Sequence, residues 1–308
     1  MEAVIIKSTG SWYEALDTQQ QHLMCRLKGV MRLDDSNDTN PVAVGDRVLL
    51  THDEGDWMIA EVLPRENYIV RASPKHKGAR QILAANMDQC LLVVTMANPR
   101  TSTGFIDRFL MTAEAYHIPT VLVFNKCDVL DPKSTQKQAY VAAVYQQIGY
   151  RTCFTSATTG EGVDTLTELL KNKTTLIAGH SGVGKSSLMN AVDPSLNLRT
   201  TPVSRITGKG MHTTTFAEMH LAQFGARIID TPGVREFGIK DFMPEEISHY
   251  FIEFRHFIPH CKFNNCLHEN EPDCAVKTAL QEGKIAEERY VNYMNILDDY
   301  RANYKHWE

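Results

Sequence analysis

Residues 174–186 read Thr174-Thr175-Leu176-Ile177-Ala178-Gly179-His180-Ser181-Gly182-Val183-Gly184-Lys185-Ser186. Five residues of apolar strand length lead into a glycine-rich turn, and residues 185–192 then have helical spacing. The last eight residues of the stretch match Gly-x4-Gly-Lys-Ser in the strand–loop–helix setting that this pattern requires. The glycines let the backbone curl so that successive N–H groups face phosphate oxygens, and the helix start adds partial positive charge. Lys185 is expected to reach the β- and γ-phosphates and the Ser186 hydroxyl to coordinate Mg²⁺. With Ser187 beside them, residues 179–187 form the expected phosphate-binding set.

The loop alone does not separate an ATPase, a kinase or a GTPase. Asn125-Lys126-Cys127-Asp128, at the end of the apolar run 120–124, does. Guanine presents N1–H and a 2-amino group, two donors that one carboxylate accepts together. Adenine lacks both and would leave Asp128 unpaired, a several-kcal/mol basis for rejecting it. Asn125 is expected to orient the loop and reach the ring edge, and Lys126 to cover the base. Ser156-Ala157-Thr158 follows another apolar run and offers a backbone N–H for guanine O6. This assignment argues against the rival reading of an ATP-dependent metabolic kinase.

Asp230-Thr231-Pro232-Gly233 ends the run 226–229. Asp230 is expected to hold Mg²⁺ through a water, and the Gly233 N–H to contact the γ-phosphate. Residues 200–215 contain Thr, Ser and Gly, with Arg205 and Lys209 and no acid. One of Thr213, Thr214 or Thr215 completes the Mg²⁺ shell, and Thr214 is the expected one. After Gly233 comes Val234, where a water-orienting Gln is often found. Valine cannot orient water, so His212 beside the threonines is the expected catalytic group, with Lys185 and Gly233. A non-catalytic, nucleotide-gated RNA-binding module is the second rival, and Val234 is what suggests it.

Apolar strands alternate with helical segments from about residue 87 to 240, which predicts an α/β unit with a largely parallel sheet covered on both faces. The motif order is unusual. Asn-Lys-x-Asp (125) and Ser-Ala-Thr (156) precede the phosphate loop (179) and Asp-Thr-Pro-Gly (230), whereas the phosphate loop usually comes first. A cyclic shift of the chain builds the same sheet if the original termini lie close together. The expected unit is a circularly permuted P-loop GTPase domain.

Around it the chain changes character. Residues 4–7, 22–28, 46–50 and 56–63 read as short strands with no helix among them, predicting a small β-barrel. Residues 65–80 read as a basic linker, either a solvated hinge or a phosphate-contacting strip. Residues 241–308 carry thirteen acidic against seven basic residues, and 275–307 have helical periodicity. The aromatic stripe there, Tyr290, Tyr293, Leu297, Tyr300 and Tyr304, is read as core. The expected domains are 1–74, 75–240 and 241–308.

Across 308 residues, 32 Lys and Arg stand against 37 Asp and Glu, a net charge of −5 that excludes a globally basic nucleic-acid coat. No run approaches the roughly 18 apolar residues of a membrane helix, and the first ten residues are no signal peptide. Seven cysteines, an odd number, suit a reducing cytoplasm. Three of them form Cys261-x4-Cys266-x-His268-x5-Cys274. Three thiolates and an imidazole suit tetrahedral Zn²⁺ and leave no position open for catalysis, so one structural zinc is expected. Neighbouring His260 is the weaker alternative and is left out of the expected set.

The order of barrel, permuted GTPase unit and Cys₃His module resembles the bacterial ribosome small-subunit-dependent GTPase A family over essentially the whole chain. Asn125–Asp128, Gly179–Ser186, His212–Thr215, Asp230–Gly233 and the Cys261, Cys266, His268, Cys274 set carry the match. The resemblance implies that the barrel is an OB-fold binding ribosomal RNA. It further implies action late in small-subunit maturation, with GTP hydrolysis stimulated by the subunit and His212 promoting it. The partners so implied are GTP and GDP and the small ribosomal subunit with its rRNA, for a monomer with no membrane.

Overall fold

The computed structural model describes residues 1–28, 40–53, 55–72, 80–200, 217–230 and 242–304. Five strands open the chain: β1 (Glu2–Ser8), β2 (Tyr13–Asp17), β3 (His22–Leu27), β4 (Arg47–Asp53) and β5 (Asp56–Val62). They follow the order β1-β2-β3-β5-β4, and pairing of β4 with β1 closes the barrel. Alternation sets its two sides. On β3, Leu23, Cys25 and Leu27 turn to the barrel core, while His22, Met24 and Arg26 are exposed.

β2 was absent from the strands expected by alternation, and its burial shows why. Ala15 belongs to the barrel core, yet the next residue, Leu16, is buried too. Leu16 and Ile6 leave the barrel's outer face and join the largest core of the molecule. A strand buried on both faces carries no period-2 signal.

Residues 65–80, expected as a linker, are corrected by the structure. β6 (Tyr68–Ala72) pairs antiparallel with β7 (Arg80–Ala85), and Val44 bridges to Ala84. Arg65 is part of the scaffold: its Nε and NH2 donate to the two oxygens of the fully buried Asp46, each at 2.7 Å. Lys75 and Lys77 lie outside the described residues.

The central sheet contains β8 (Gln89–Val94), β9 (Thr120–Phe124), β10 (Arg151–Phe154), β11 (Thr174–Ala178), β12 (Glu218–Leu221) and β13 (Arg227–Asp230). Their order is β10-β9-β8-β11-β13-β12, parallel except for β12. β12 was not anticipated. It runs antiparallel and joins β1 through Lys7 and Glu218, whose ion pair is 2.9 Å long, so barrel and sheet are continuous. The continuous apolar runs follow from burial on both faces. On β8, Cys90, Leu92 and Val94 enter one core, and Leu91 and Val93 enter the other.

The helices are α1 (Thr103–Ala115), α2 (Pro132–Ile148), α3 (Val163–Leu170) and α4 (Lys185–Val192). Phe109 and Leu110 of α1 and Tyr145 of α2 lie in the first core; Leu166 of α3 and Leu188 of α4 lie in the second. β11 sits mid-sheet between β8 and β13, with β8, β9 and β10 earlier in the chain and β12 and β13 later.

Beyond it come α5 (Pro244–Ile247), α6 (Ala275–Gln281) and α7 (Glu287–Tyr304). The helical span expected over 275–307 consists of two helices, separated at Gly283, which adopts φ +70°. Tyr293, Leu297 and Tyr300 are buried, in keeping with a core stripe. α7 docks on α1 through a buried ionic network. Asp107 accepts from Arg289 and Asn292 at 2.6 Å each and from the Tyr145 hydroxyl. Arg289 also donates twice to Glu253, at 2.6 and 2.9 Å. A buried carboxylate without partners would be strongly destabilising, so these bonds fix the helix pair. Among the described residues, no helix is long and apolar enough to cross a membrane.

Candidate functional site

The phosphate loop joins the end of β11 to α4, and two of its glycines are required by close approach. A Cβ on Gly179 (φ +137°) would lie 2.2 Å from the Val93 carbonyl oxygen, and one on Gly184 (φ +95°) 2.6 Å from Asn125 Nδ2. Leu188 and Met189 anchor α4 in the core, so its N-terminus is held facing the loop. Lys185 Nζ donates to the carbonyls of Gly179 (2.8 Å) and His180 (3.1 Å), curling back over the loop it serves.

β9 ends beside this loop. Asn125 is buried; its Nδ2 donates to the Val183 carbonyl (2.9 Å), and its Oδ1 accepts from the Thr155 hydroxyl (3.1 Å). Lys126 has left-handed backbone (φ +65°), which aims its side chain back across the loop. Its Nζ donates to Gly182 and Asn98 carbonyls, each at 2.7 Å, and burial lowers its pKa. Asp128 lies in the short 3-10 turn Cys127–Val129, is exposed, and makes no hydrogen bond or ion pair among the described residues. A carboxylate so presented can accept two donors from a base edge.

Ser156 is buried and shapes the next loop. Its hydroxyl accepts from the amides of Thr158 (3.3 Å) and Thr159 (3.1 Å), while its own N–H donates to Glu161 O (3.0 Å). That amide is committed, and Ala157 is the next along. Asp230 closes β13 opposite Ile177 of β11. Burial raises its pKa, and the neighbouring Lys185 opposes that shift. Asn125, Lys126, Asp128, Ser156, Lys185 and Asp230 thus occupy the carboxyl edge of one sheet, where ligands of open α/β sheets bind. Ser186 is partly buried and Ser187 exposed at the start of α4. His212, Thr213, Thr214, Thr215, Gly233 and Val234 lie outside the described residues. Sequence reasoning missed Thr155 and the Asn98 carbonyl. A threonine ending a strand was the one available signal for the first, and a backbone oxygen leaves none.

The second cluster is in the C-terminal module. Ligand atoms of Cys261, Cys266, His268 and Cys274 lie within 4.8 Å of one another. His268 Nδ1 is 3.6 Å from Cys261 Sγ and 3.4 Å from Cys274 Sγ, and those sulfurs are 4.0 Å apart. Tetrahedral zinc, with bonds of about 2.3 Å to sulfur and about 2.0 Å to nitrogen, spaces its ligands about 3.5–3.8 Å apart, so the donor set fits. Burial pushes the Cys266 thiol up to about 12 and the His268 imidazole down to about 4, which keeps both neutral without a metal. The hydroxyls of Tyr290 and Tyr293 clamp the ligand loop at the carbonyls of His268 (2.7 Å) and Leu267 (2.8 Å). His260 is exposed and outside the set.

Two family models match the chain: the RsgA N-terminal domain over residues 2–57 and the RsgA GTPase over residues 62–240. A protein of Flavobacterium psychrophilum called small ribosomal subunit biogenesis GTPase RsgA is 47% identical, covering 99% of this chain and 95% of its own. One of the same name from Bacteroides fragilis is 48% identical, covering 99% and 100%. A crystal structure of YjeQ from Thermotoga maritima superposes with a TM-score of 0.80 at 38% identity, covering 97% of this chain and 98% of that one. The structure of YloQ, a circularly permuted GTPase, gives 0.75 at 29% identity, covering 98% and 95%. With its permuted sheet, the phosphate loop at the centre of it and the Cys₃His cluster behind, this chain belongs to the RsgA family of small ribosomal subunit biogenesis GTPases and is a GTP hydrolase.

Proposed function

We propose that the chain binds the small ribosomal subunit in its GTP form during late maturation and leaves it after hydrolysis to GDP and phosphate, with turnover stimulated by the subunit. The observation that carries the nucleotide half is the fastening of Asn125 and Lys126 to Val183 and Gly182 of the phosphate loop. One purine triphosphate can then span from Asp128 to Lys185. Asp128 accepts the guanine donors, Asn125 and Lys126 hold the base loop against the phosphate loop, and the Ala157 amide serves guanine O6. Residues 179–187 cradle the phosphates.

In this reading, Ser186, Asp230 and Thr214 hold the nucleotide's Mg²⁺, which when bound offsets negative charge on the β- and γ-phosphates. Water attacks the γ-phosphorus, the bond to the β–γ bridging oxygen breaks with its electron pair leaving on GDP, the water's proton passes to the released phosphate, and Lys185 with the Gly233 amide offsets the charge that develops. His212 orients the water. The division of labour is the β1–β5 barrel for ribosomal RNA, the GTPase unit up to residue 240 with the β6–β7 hairpin packed on its core, and a zinc-stapled module over 241–308, in a cytoplasmic monomer. The names of the relatives support the small subunit as partner.

The test is GTP turnover titrated with purified small subunits, large subunits and naked ribosomal RNA. Small subunits are expected to raise turnover at concentrations where the other two do not. No stimulation by any of them would leave a GTPase without the proposed trigger.

A further inference from the structure

The first two turns of α1 touch two different parts of the molecule. On one side the Phe105 ring lies over the imidazole of His180, 3.7 Å between centroids with the planes 30° apart. His180 is the second residue of the phosphate loop. On the other side α1 meets α7: Thr103 donates to Glu288 (2.7 Å), Asp107 accepts from Arg289 and Asn292, and Arg108 pairs with Asp299. The helices pack closely here: a Cβ at Gly104 would sit 3.4 Å from Asn292 Oδ1, in van der Waals contact, and a larger side chain would reach into it. Residues 103 and 107 share one face of the helix, and 105 projects from another. The start of α1 is therefore wedged between the phosphate loop and the C-terminal module.

The stack bears on the chemistry because the carbonyl of His180, with that of Gly179, accepts from Lys185 Nζ. A displaced His180 displaces the lysine's anchor. Asp107 is in turn immobilised, with both carboxylate oxygens bonded and its partner Arg289 gripped by Glu253. Neither Phe105 nor Asp107 belongs to any motif of the nucleotide site.

We infer that Phe105 and Asp107 are positioning residues for GTP: α7 grips Asp107, which sets the start of α1, and Phe105 then sets His180 and the phosphate loop. The inference rests on the reading of residues 179–187 as the phosphate-binding loop. It makes the C-terminal module part of what shapes the nucleotide site, although no residue of the module lies in that loop.

The experiment uses the full-length protein, with metal content and helicity checked for each variant. Phe105→Leu keeps apolar volume and removes the ring, whereas Phe105→Tyr keeps the ring. Phe105→Leu is expected to weaken GDP binding and raise the KM for GTP about tenfold, with inhibition by phosphate-free guanosine changed less than about twofold. Phe105→Tyr is expected to restore GDP affinity to within about threefold of the parent. Asp107→Asn, which removes the charge facing Arg289, should shift the GDP-to-guanosine ratio in the same direction. If that variant does not fold, Gly104→Val replaces it, pressing on Asn292 with every charged partner intact. Unchanged GDP affinity in Phe105→Leu, or a parallel loss of GDP and guanosine binding, overturns the inference. Failure of the parent protein to bind GDP would instead overturn the phosphate-loop reading, so the two failures are distinct.

Discussion

The four candidate metal ligands come from fourteen consecutive residues, Cys261 to Cys274, while the groups around the phosphate loop are drawn from strand ends running from Asn125 to Asp230. The first cluster is held by its own loop, two tyrosine hydroxyls of α7 and, in the proposed state, an ion. The second is held by strand order and by side chains bonded to backbone carbonyls: Asn125 to Val183, Lys126 to Gly182, Lys185 to Gly179. A local cluster leans on its ligand, because residues 261–274 contain no strand or helix of their own and only a handful of side-chain bonds hold them besides the ion. A dispersed site is prebuilt by the core and needs no ligand to take shape. The two should therefore fail in different ways.

The largest effect belongs to the metal. Structural zinc contributes on the order of 10 kcal/mol to folding of small modules, so chelation or Cys266→Ser should melt the helices of residues 242–304. Far-UV circular dichroism with metal analysis checks this. Acid acts in the same direction, because thiols must lose their protons to bind metal, so zinc affinity should fall as pH falls. A fully helical, metal-free protein would break the contrast between the two regions.

Asp128→Asn comes next. It replaces a two-donor acceptor with an amide that opposes guanine with its own NH₂, and should cost about 2–4 kcal/mol of GDP affinity, roughly 30- to 1000-fold, with the thermal midpoint of the free protein little changed. Isothermal titration with GDP and ADP reads both affinity and base choice. Retained guanine preference would move base recognition elsewhere.

The smallest expected effect sharpens the idea of a prebuilt site. Asn125→Ala strands the Val183 carbonyl and the Thr155 hydroxyl in the core, a loss of about 1–3 kcal/mol in stability of the nucleotide-free protein. Urea unfolding without nucleotide measures it. No loss there, with a loss only when GDP is present, would mean that the ligand assembles the site.

Much of this was legible in advance, and the exceptions have physical causes. The runs over β9 and β11 announced strands buried on both faces, and α4 could be read to its last residue. β2 escaped because Leu16 leaves the barrel for another core, which erased alternation. β12 escaped because its burial is uneven, with only Met219 deeply inside. Residues 65–80 looked like a linker because charges dominate, yet Arg65 satisfies the buried Asp46 and the following segments pair as a hairpin. The helical periodicity over 275–307 could not foretell the break at Gly283, since glycine within a helix and glycine ending one read alike.

Local chemistry is written in local spacing: a glycine-rich turn between strand and helix, Asn-Lys-Cys-Asp after an apolar run, and four soft ligands within one short loop were all readable along the chain, as was their permuted order. Which carbonyl receives Lys126, which strand joins barrel to sheet, and that α1 is shared by His180 and α7 were settled by folding alone. Such contacts join residues far apart in the chain, and their energy depends on which surfaces meet, a quantity that no window of sequence contains.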